Sequence, residues 1–189
     1  MASYFKRVAN VSKNLKIAEV SGMIQPKSVK TEVKVRPSIN HVICIDISGS
    51  MYDVLPKIRT QLKSRMVDIV SDNDTVSLIW FDDKCGFVSE MVHISKANDV
   101  REMNKRISEM LKPGGCTNFL DPIKLTNKLI ERMNSSKGLW NFFFMSDGGH
   151  NTGGTWDKVI SELSNLQSKI SNATICEYGY WADSNKLTE

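Results

Sequence analysis

The sequence predicts an α/β fold in which helices cover both faces of a doubly wound, mostly parallel sheet. From Asn40 onward, apolar runs of strand length alternate with segments whose apolar residues recur at helical spacing. This alternation is typical of a mostly parallel sheet, because helices connect its strands. The chain has 189 residues, 41% of them hydrophobic, which is enough to fill the core of one domain with a short extension.

Five runs are predicted as strands because most of them are rich in Val, Ile, Phe or Trp. The predicted strands are His41 to Asp46, Thr75 to Phe81, Phe87 to His93, Trp140 to Ser146 and Ala173 to Tyr180. Their alternation with helical segments favours one central sheet.

Apolar residues spaced three or four positions apart predict four helices. For the third helix we expect Asp121 as the N-cap, since Pro122 would then occupy the first helical position, where proline is favoured. Met and Trp residues on the apolar stripes are interpreted as core residues. The four predicted helical segments are Leu55 to Ile69, Val100 to Met110, about Pro122 to Met133, and Trp156 to Ile170.

Residues 1–39 are predicted to form a basic, partly extended N-terminal arm, and residues 40–189 the domain. Residues 1–40 contain eight Lys or Arg and two Glu, so the excess positive charge of the chain belongs to the arm. The segment Thr31 to Arg36 alternates like a strand exposed on one face, and Pro37 ends it. A basic arm can bind nucleic acid or an acidic protein, but a solvated tail is the interpretation that the sequence favours.

The cysteines and histidines give no indication of a zinc site or a disulfide framework. The four cysteines are far apart without a C-x-x-C pair, and the three histidines are equally scattered. No apolar run approaches the roughly 18 residues that cross a bilayer, and the first residues lack the apolar region of a secretory signal. We therefore expect a cytoplasmic protein without membrane contact. The sequence also lacks a G-x-x-x-x-G-K-[ST] phosphate loop, which argues against a nucleoside triphosphatase.

Asp46, Ser48 and Ser50 directly follow an apolar strand, so we expect three oxygen ligands at one strand end. Oxygen ligands favour a hard divalent cation, Mg²⁺ first, with Mn²⁺ or Ca²⁺ as substitutes. In a doubly wound sheet, ligands bind beyond the carboxyl ends of strands, where separate loops converge. Two further loops qualify, Gly114 to Asn118 and Asp147 to Gly149. The alternative interpretation is that these polar residues only form turns and helix caps.

The polar residues of these loops resemble the metal-ion-dependent adhesion site (MIDAS) of von Willebrand factor A (vWA) domains. That site has the pattern Asp-x-Ser-x-Ser, followed by a distant Thr and a distant Asp. The resemblance covers about residues 40 to 180 and implies a Rossmann-like vWA fold of the intracellular type with a complete MIDAS. The matching residues are, in chain order, Asp46, Ser48, Ser50, Thr117 and Asp147.

The resemblance also implies a role for each of these residues. Ser48 and Ser50 would coordinate the cation directly through their hydroxyls, whereas Asp46 and Asp147 would act directly or through bound water. Thr117 is the ligand whose coordination would change with state. In the family, an Asp or Glu carboxylate of a partner protein typically completes the site. The resemblance therefore implies a metal-dependent protein–protein interaction module and not an enzyme.

Two other functions stay open at this point. An open Mg²⁺ site suits a phosphohydrolase-type enzyme, but phosphatases of the aspartyl-phosphate type need a second Asp where this chain has Ser48. The basic arm would suit an RNA-associated scaffold, although aromatic and basic residues do not interleave on a strand to form a stacking platform. His150 and Asn151 either read the identity of a partner at the rim of the site or belong to a solvated loop.

The C-terminal end departs from the family pattern. A complete vWA domain has a last helix and strand after the segment that corresponds to Ala173 to Tyr180. Here Trp181 to Glu189 looks like the beginning of that helix. We expect either a fold trimmed at one edge or a fragment of a longer protein. An exposed edge, or the arm, would allow oligomerisation.

Overall fold

The structure is a computed structural model that describes residues 36–133 and 139–177, without the side chains of residues 67–69 and 175–177. These residues form one five-stranded sheet. The strands are β1 (Ile39–Asp46), β2 (Thr75–Phe81), β3 (Cys85–His93), β4 (Leu139–Ser146) and β5 (Asn172–Glu177). Their order across the sheet is β3-β2-β1-β4-β5, and only the β2–β3 pair is antiparallel. The predicted fold class is confirmed.

Helices cover both faces of this sheet. The helices are α1 (Leu55–Ile69), α2 (Ala97–Met110), α3 (Leu120–Arg132) and α4 (Trp156–Gln167). On one face α1 and α2 pack against the strands, and on the other face α3 and α4 do so. A short 3₁₀ turn over Gly49–Asp53 leads from β1 towards α1.

The central strand β1 contributes to both cores, because successive side chains of a strand point to opposite faces. Ile45 lies in the core beneath α1 and α2, together with Met103. Cys44 lies in the core beneath α3 and α4, together with Phe144. All four side chains are buried. Two helical layers thus fix β1 firmly, and with it the position of Asp46 at the end of the strand.

Most predicted strands differ from the observed ones by one or two residues at their ends. The bounds predicted for β2 are confirmed, but β3 begins at Cys85 and not at Phe87. A tight turn causes this difference, since the Asp82 N–H donates to the Lys84 carbonyl and places Cys85 beside Phe81. The last three residues of the predicted fifth strand lie outside the described part of the chain.

The start of α3 corrects the predicted cap. The helix begins at Leu120, so Asp121 lies inside its first turn and Pro122 is its third residue. The carboxamide of Asn118 takes the capping role, because its Oδ1 accepts the N–H groups of Leu120 (3.0 Å) and Asp121 (3.3 Å). α4 also differs, since it ends at Gln167 and does not continue to Ile170.

A buried carboxylate joins the amino ends of β1 and β2. Asp74 accepts hydrogen bonds from the Ile39 N–H (2.8 Å), the Arg36 guanidinium (2.7 Å), the Ser71 N–H (3.2 Å) and the His41 ring (3.4 Å). Burial opposes ionisation of Asp74, but these donors outweigh it and lower its pKa. Burial has the larger influence on His41 and lowers the pKa of its imidazole.

Several predictions fall outside the described residues. They include most of the basic arm, of which only residues 36–39 are described, and the segment Trp181 to Glu189. The domain boundary, the trimmed edge and oligomerisation therefore stay predictions. None of the described helices is both long enough and apolar enough to span a membrane.

Candidate metal centre

Three loops meet at the carboxyl ends of β1 and β4. The first loop (residues 47–54) follows β1, the second loop (residues 111–119) precedes α3, and the third loop (residues 147–155) follows β4. The second loop is bonded to the first, because the Gly114 N–H donates to the Ile47 carbonyl (2.8 Å) and the Gly49 N–H to the Gly115 carbonyl (3.3 Å). The fold therefore brings together the three loops that the sequence singled out.

Side chains from the first and third loops form one chain of hydrogen bonds. The Ser50 hydroxyl donates to Asp147 Oδ1 at 2.8 Å, and the hydroxyl oxygens of Ser48 and Ser50 are 3.2 Å apart. The Ser48 N–H donates to Asp46 Oδ1 at 2.7 Å. Four of the five predicted ligands thus lie in one network, although about a hundred residues separate Asp46 from Asp147.

Asp46 is the most deeply buried group of this network, with no solvent exposure. Burial raises its pKa to about 6, and the nearby negative charge of Asp147 raises it further, while hydrogen bonds from Ser146 and Ser48 limit the rise. The Ser146 hydroxyl donates to Asp46 Oδ2 at 2.6 Å. A buried carboxylate with a raised pKa is a group that a cation would stabilise.

The fifth predicted ligand, Thr117, lies in the second loop and is 5% exposed. Its backbone is bonded to the third loop, since its N–H donates to Asn151 Oδ1 (2.9 Å) and its carbonyl accepts the Asn151 N–H (3.0 Å). Its hydroxyl makes no hydrogen bond to any of the described residues. The structure thus fixes the backbone of Thr117 and leaves its hydroxyl available for a ligand.

Two further carboxylates lie beside the second loop. Gly115 has a φ of +67°, and a Cβ at this position would lie 2.3 Å from Asp83 Oδ1 and 2.9 Å from the Asp82 carboxylate, so only glycine fits here. Burial raises the pKa of Asp82, and the charge of Asp83 adds to this effect. Together with Asp46 and Asp147, these groups make the surroundings of the site attractive to a cation.

The oxygen atoms of the network suit a hard cation. Oxygen ligands of Mg²⁺ lie about 2.0–2.1 Å from the ion, so that neighbours in an octahedron are about 3 Å apart. The 2.8 Å and 3.2 Å separations around Ser50 are close to this spacing. No group of three or more His, Cys, Asp or Glu side chains with metal-ligand geometry occurs among the described residues, so a cation here would depend on hydroxyl ligands.

Two residues of the site make contacts that the sequence did not predict. Ser146 is the last residue of β4, as predicted, and its hydroxyl also donates to Asp46 Oδ2. Asn151 is exposed, as expected for a rim or solvated residue, and its carboxamide oxygen also accepts the Thr117 N–H. The position of Ser146 directly before Asp147 was a usable signal. No sequence signal indicated the contact of Asn151, because it joins two loops that come together only in the folded protein.

A family model describes the central part of the chain. Residues 41–150 match the model of the von Willebrand factor type A domain, and these residues make up more than half of the sequence. The chain belongs to the von Willebrand factor type A family. The vWA match begins in β1 and ends at residue 150 in the third loop, so it includes the first two loops and the start of the third, with all five candidate ligands.

Solved structures share the vWA fold with this chain. A von Willebrand factor type A structure from Catenulispora acidiphila is 16% identical with a TM-score of 0.63, and the match covers 80% of this chain and 35% of that one. Manganese-loaded TRAP from Plasmodium vivax is 16% identical with a TM-score of 0.60, covering 80% and 70%. The vWF domain of the pilus tip protein Mfa5 from Porphyromonas gingivalis is 18% identical with a TM-score of 0.51, covering 61% and 40%.

The similarity to these structures concerns the vWA fold. The chain spans 35% of the length of the Catenulispora acidiphila structure and 40% of that of Mfa5, so it corresponds to a part of those proteins. No curated protein sequence matches the chain.

Proposed function

We propose that this vWA domain is a metal-dependent protein–protein interaction module. It binds Mg²⁺, with Mn²⁺ or Ca²⁺ as substitutes, and the cation engages an Asp or Glu side chain of a partner protein. Domains of this family serve in adhesion and protein interaction, which supports the general role. The proposed ligands are Asp46, Ser48, Ser50, Thr117 and Asp147.

The observation that carries this proposal is the hydrogen-bonded chain from Asp46 through Ser48 and Ser50 to Asp147. The hydroxyls of Ser48 and Ser50 and the carboxylate of Asp147 lie at distances that suit neighbouring ligands of one ion, and the Ser48 N–H anchors the Asp46 carboxylate beside them. The manganese of the Plasmodium vivax structure shows that this fold can carry a divalent cation in another protein. Two carboxylates balance the charge of a divalent cation, and five protein ligands leave one of about six coordination positions open for an oxygen from outside.

Titration with Mn²⁺, followed by the loss of its free EPR signal, tests the cation site. We expect one site in the wild-type protein and an affinity at least about tenfold lower in Ser48→Ala and in Asp147→Asn, since the first variant lacks a ligand oxygen and the second lacks the negative charge of a ligand. Asp53→Asn is the matched control, because Asp53 is an exposed carboxylate three residues beyond Ser50 that belongs to no part of the network. Equal affinity in all four proteins would contradict the proposed site.

Partner capture tests the second half of the proposal. Immobilised wild-type protein should retain its partner in Mg²⁺ and release it in EDTA, and Asp147→Asn should retain little in either buffer. Once the retained protein is identified, replacing its Asp and Glu residues one at a time should reveal a single carboxylate on which binding depends. Retention that is the same in Mg²⁺ and in EDTA would contradict the bridging role of the cation.

The affinity for the cation should depend on pH through Asp46. A ligand carboxylate must lose its proton to bind, and the pKa of Asp46 without a cation is about 6. We expect a nearly constant Mn²⁺ affinity above about pH 7 and a fall of up to about tenfold per unit below pH 6. Titrations at pH 7.5, 6.5, 5.5 and 5.0 measure this. An affinity that does not change across the series would exclude Asp46 as the titrating ligand.

The residue two positions after Asp46 favours a binding role over phosphoryl transfer. Phosphatases of the aspartyl-phosphate type need a second Asp at that position to act as general acid and base, but this chain has Ser48 there. We therefore keep the proposal that the domain is not an enzyme. The RNA-associated alternative depends on the basic arm, which lies outside the described residues except for residues 36–39. The cytoplasmic location stays a prediction from the sequence.

A further inference from the structure

The third loop holds the second loop through a set of hydrogen bonds that the five-residue motif does not include. Thr117 is bonded at both of its backbone groups: its N–H donates to Asn151 Oδ1 at 2.9 Å, and its carbonyl accepts the N–H groups of Asn151 at 3.0 Å and Thr152 at 3.3 Å. Because Asn151 forms hydrogen bonds with both the N–H and the carbonyl of Thr117, it restrains the direction in which the Thr117 hydroxyl points.

His150, the residue before Asn151, makes a second contact between the third loop and the second loop. Its Nδ1 accepts the Phe119 N–H at 3.1 Å, and its Nε2 donates to the Gly154 carbonyl at 2.9 Å. The imidazole also lies against the rings of Phe119 and Trp156, with centroids 5.7 Å and 5.4 Å away. Phe119 is fully buried, so the far end of the second loop is fixed in the core.

The third loop can approach this closely because of a glycine. Gly153 has a φ of +85°, and a Cβ at this position would lie 2.1 Å from the side chain of Asn118. Asn118 in turn caps α3 and donates to Asp121 at 2.8 Å. Three consecutive residues of the second loop therefore pack closely against the third loop: Thr117, Asn118 and Phe119.

We propose that Asn151 is a positioning residue for the cation site, which it serves by holding Thr117 in place. This inference rests on the proposed metal-binding function. Asn151 itself is exposed and is not a ligand, so its side chain acts only through the backbone of Thr117. It couples the second loop to the third loop, which also carries Asp147. Residues that orient metal ligands typically change the affinity 10- to 100-fold when they are replaced.

Mn²⁺ titration of variants at this position tests the inference. Asn151→Ala removes the acceptor of the Thr117 N–H and should lower the affinity about tenfold or more. Asn151→Asp keeps an acceptor oxygen at the same place and should stay within about threefold of the wild type. Asn151→Leu, which has a similar volume without an acceptor, should behave like Asn151→Ala and serves as a second variant. Thr152→Ala is the matched control, since it leaves the Thr152 N–H in place.

Hydrogen exchange of the Thr117 amide in EDTA provides a readout that does not depend on the cation. This amide should exchange faster in Asn151→Ala than in the wild type, while the thermal midpoints stay within a few degrees of each other. If the wild type takes up no Mn²⁺, both the proposed function and this inference fail. If the wild type binds Mn²⁺ and Asn151→Ala binds it equally well, or if Asn151→Asp loses affinity as Asn151→Ala does, only this inference is overturned.

Discussion

Asp46→Asn should stabilise the cation-free domain by about 2–3 kcal/mol at pH 7.5 and at the same time abolish Mn²⁺ binding. The pKa of Asp46 is about 6 in the folded protein, against 3.8 for an ordinary Asp, because the carboxylate is fully buried. One pKa unit corresponds to about 1.4 kcal/mol, so the rise from 3.8 to about 6 means that ionisation of Asp46 costs the folded state about 2–3 kcal/mol. The Asn side chain keeps an acceptor for the Ser48 N–H and carries no charge.

The stability difference between Asp46→Asn and wild type should depend on pH in a defined direction. Since the folded pKa lies above the unfolded one, the stability contributed by protonated Asp46 is present below about pH 4 and is lost as the pH rises to about 6. Urea unfolding in EDTA should therefore show a difference between Asp46→Asn and wild type that grows from pH 4 to pH 6 and is constant above. Asp53→Asn, the exposed control, should show no such trend. A variant that is less stable than wild type at pH 7.5 would contradict the prediction.

Asp74→Ala should lower the free energy of unfolding by about 3 kcal/mol at pH 7. The substitution leaves the N–H groups of Ile39 and Ser71 without their acceptor and removes the partner of Arg36. A buried donor that loses its partner costs about 1–3 kcal/mol, which applies to the buried His41 ring and in part to the half-buried Ile39 N–H. The exposed Ser71 and Arg36 add little, because water replaces their lost contacts. Asp74→Asn, which keeps one acceptor oxygen, should have an intermediate effect.

Urea unfolding at several pH values measures the contribution of Asp74. Because its donors lower its pKa, this contribution is present at neutral pH and is lost as the pH falls below the ordinary Asp value of 3.8. The difference between wild type and Asp74→Ala should therefore shrink in acid. Asp72→Ala is the matched control, since it removes an exposed carboxylate from the same turn and should change the stability by under about 0.5 kcal/mol. An equal effect of both substitutions would contradict the stabilising role of Asp74.

Sequence patterns predicted those features of the fold that depend on local composition. β2 has the predicted bounds because every residue from Thr75 to Phe81 suits a strand between two helical layers. The candidate ligands were found in the same way, since Asp46 and Asp147 each stand where an apolar strand ends. The structure brings both into one hydrogen-bonded network, and their binding of a cation stays a prediction until it is measured.

Contacts between distant segments decided the features that the sequence did not reveal. Local rules favoured Asp121 as the cap of α3, but the Asn118 N–H bonds to the Asp82 carbonyl, and the close approach of Gly153 leaves Asn118 facing the helix. The role of the buried Asp74 likewise depends on distant residues, since Arg36, Ile39 and His41 supply donors from more than thirty positions earlier in the chain. Such contacts have no local signature, because each partner is an ordinary turn residue by itself.

The three loops are bonded to one another in pairs, which ties the site to the completion of folding. Ser50 bonds to Asp147, Gly49 to Gly115, and Thr117 to Asn151, and these partners are between 34 and 97 positions apart in the chain. No short fragment of the domain contains all three contacts, and contacts between residues far apart in the chain slow folding. The ability to take up a divalent cation would therefore report that β1, α3 and β4 have all reached their native places.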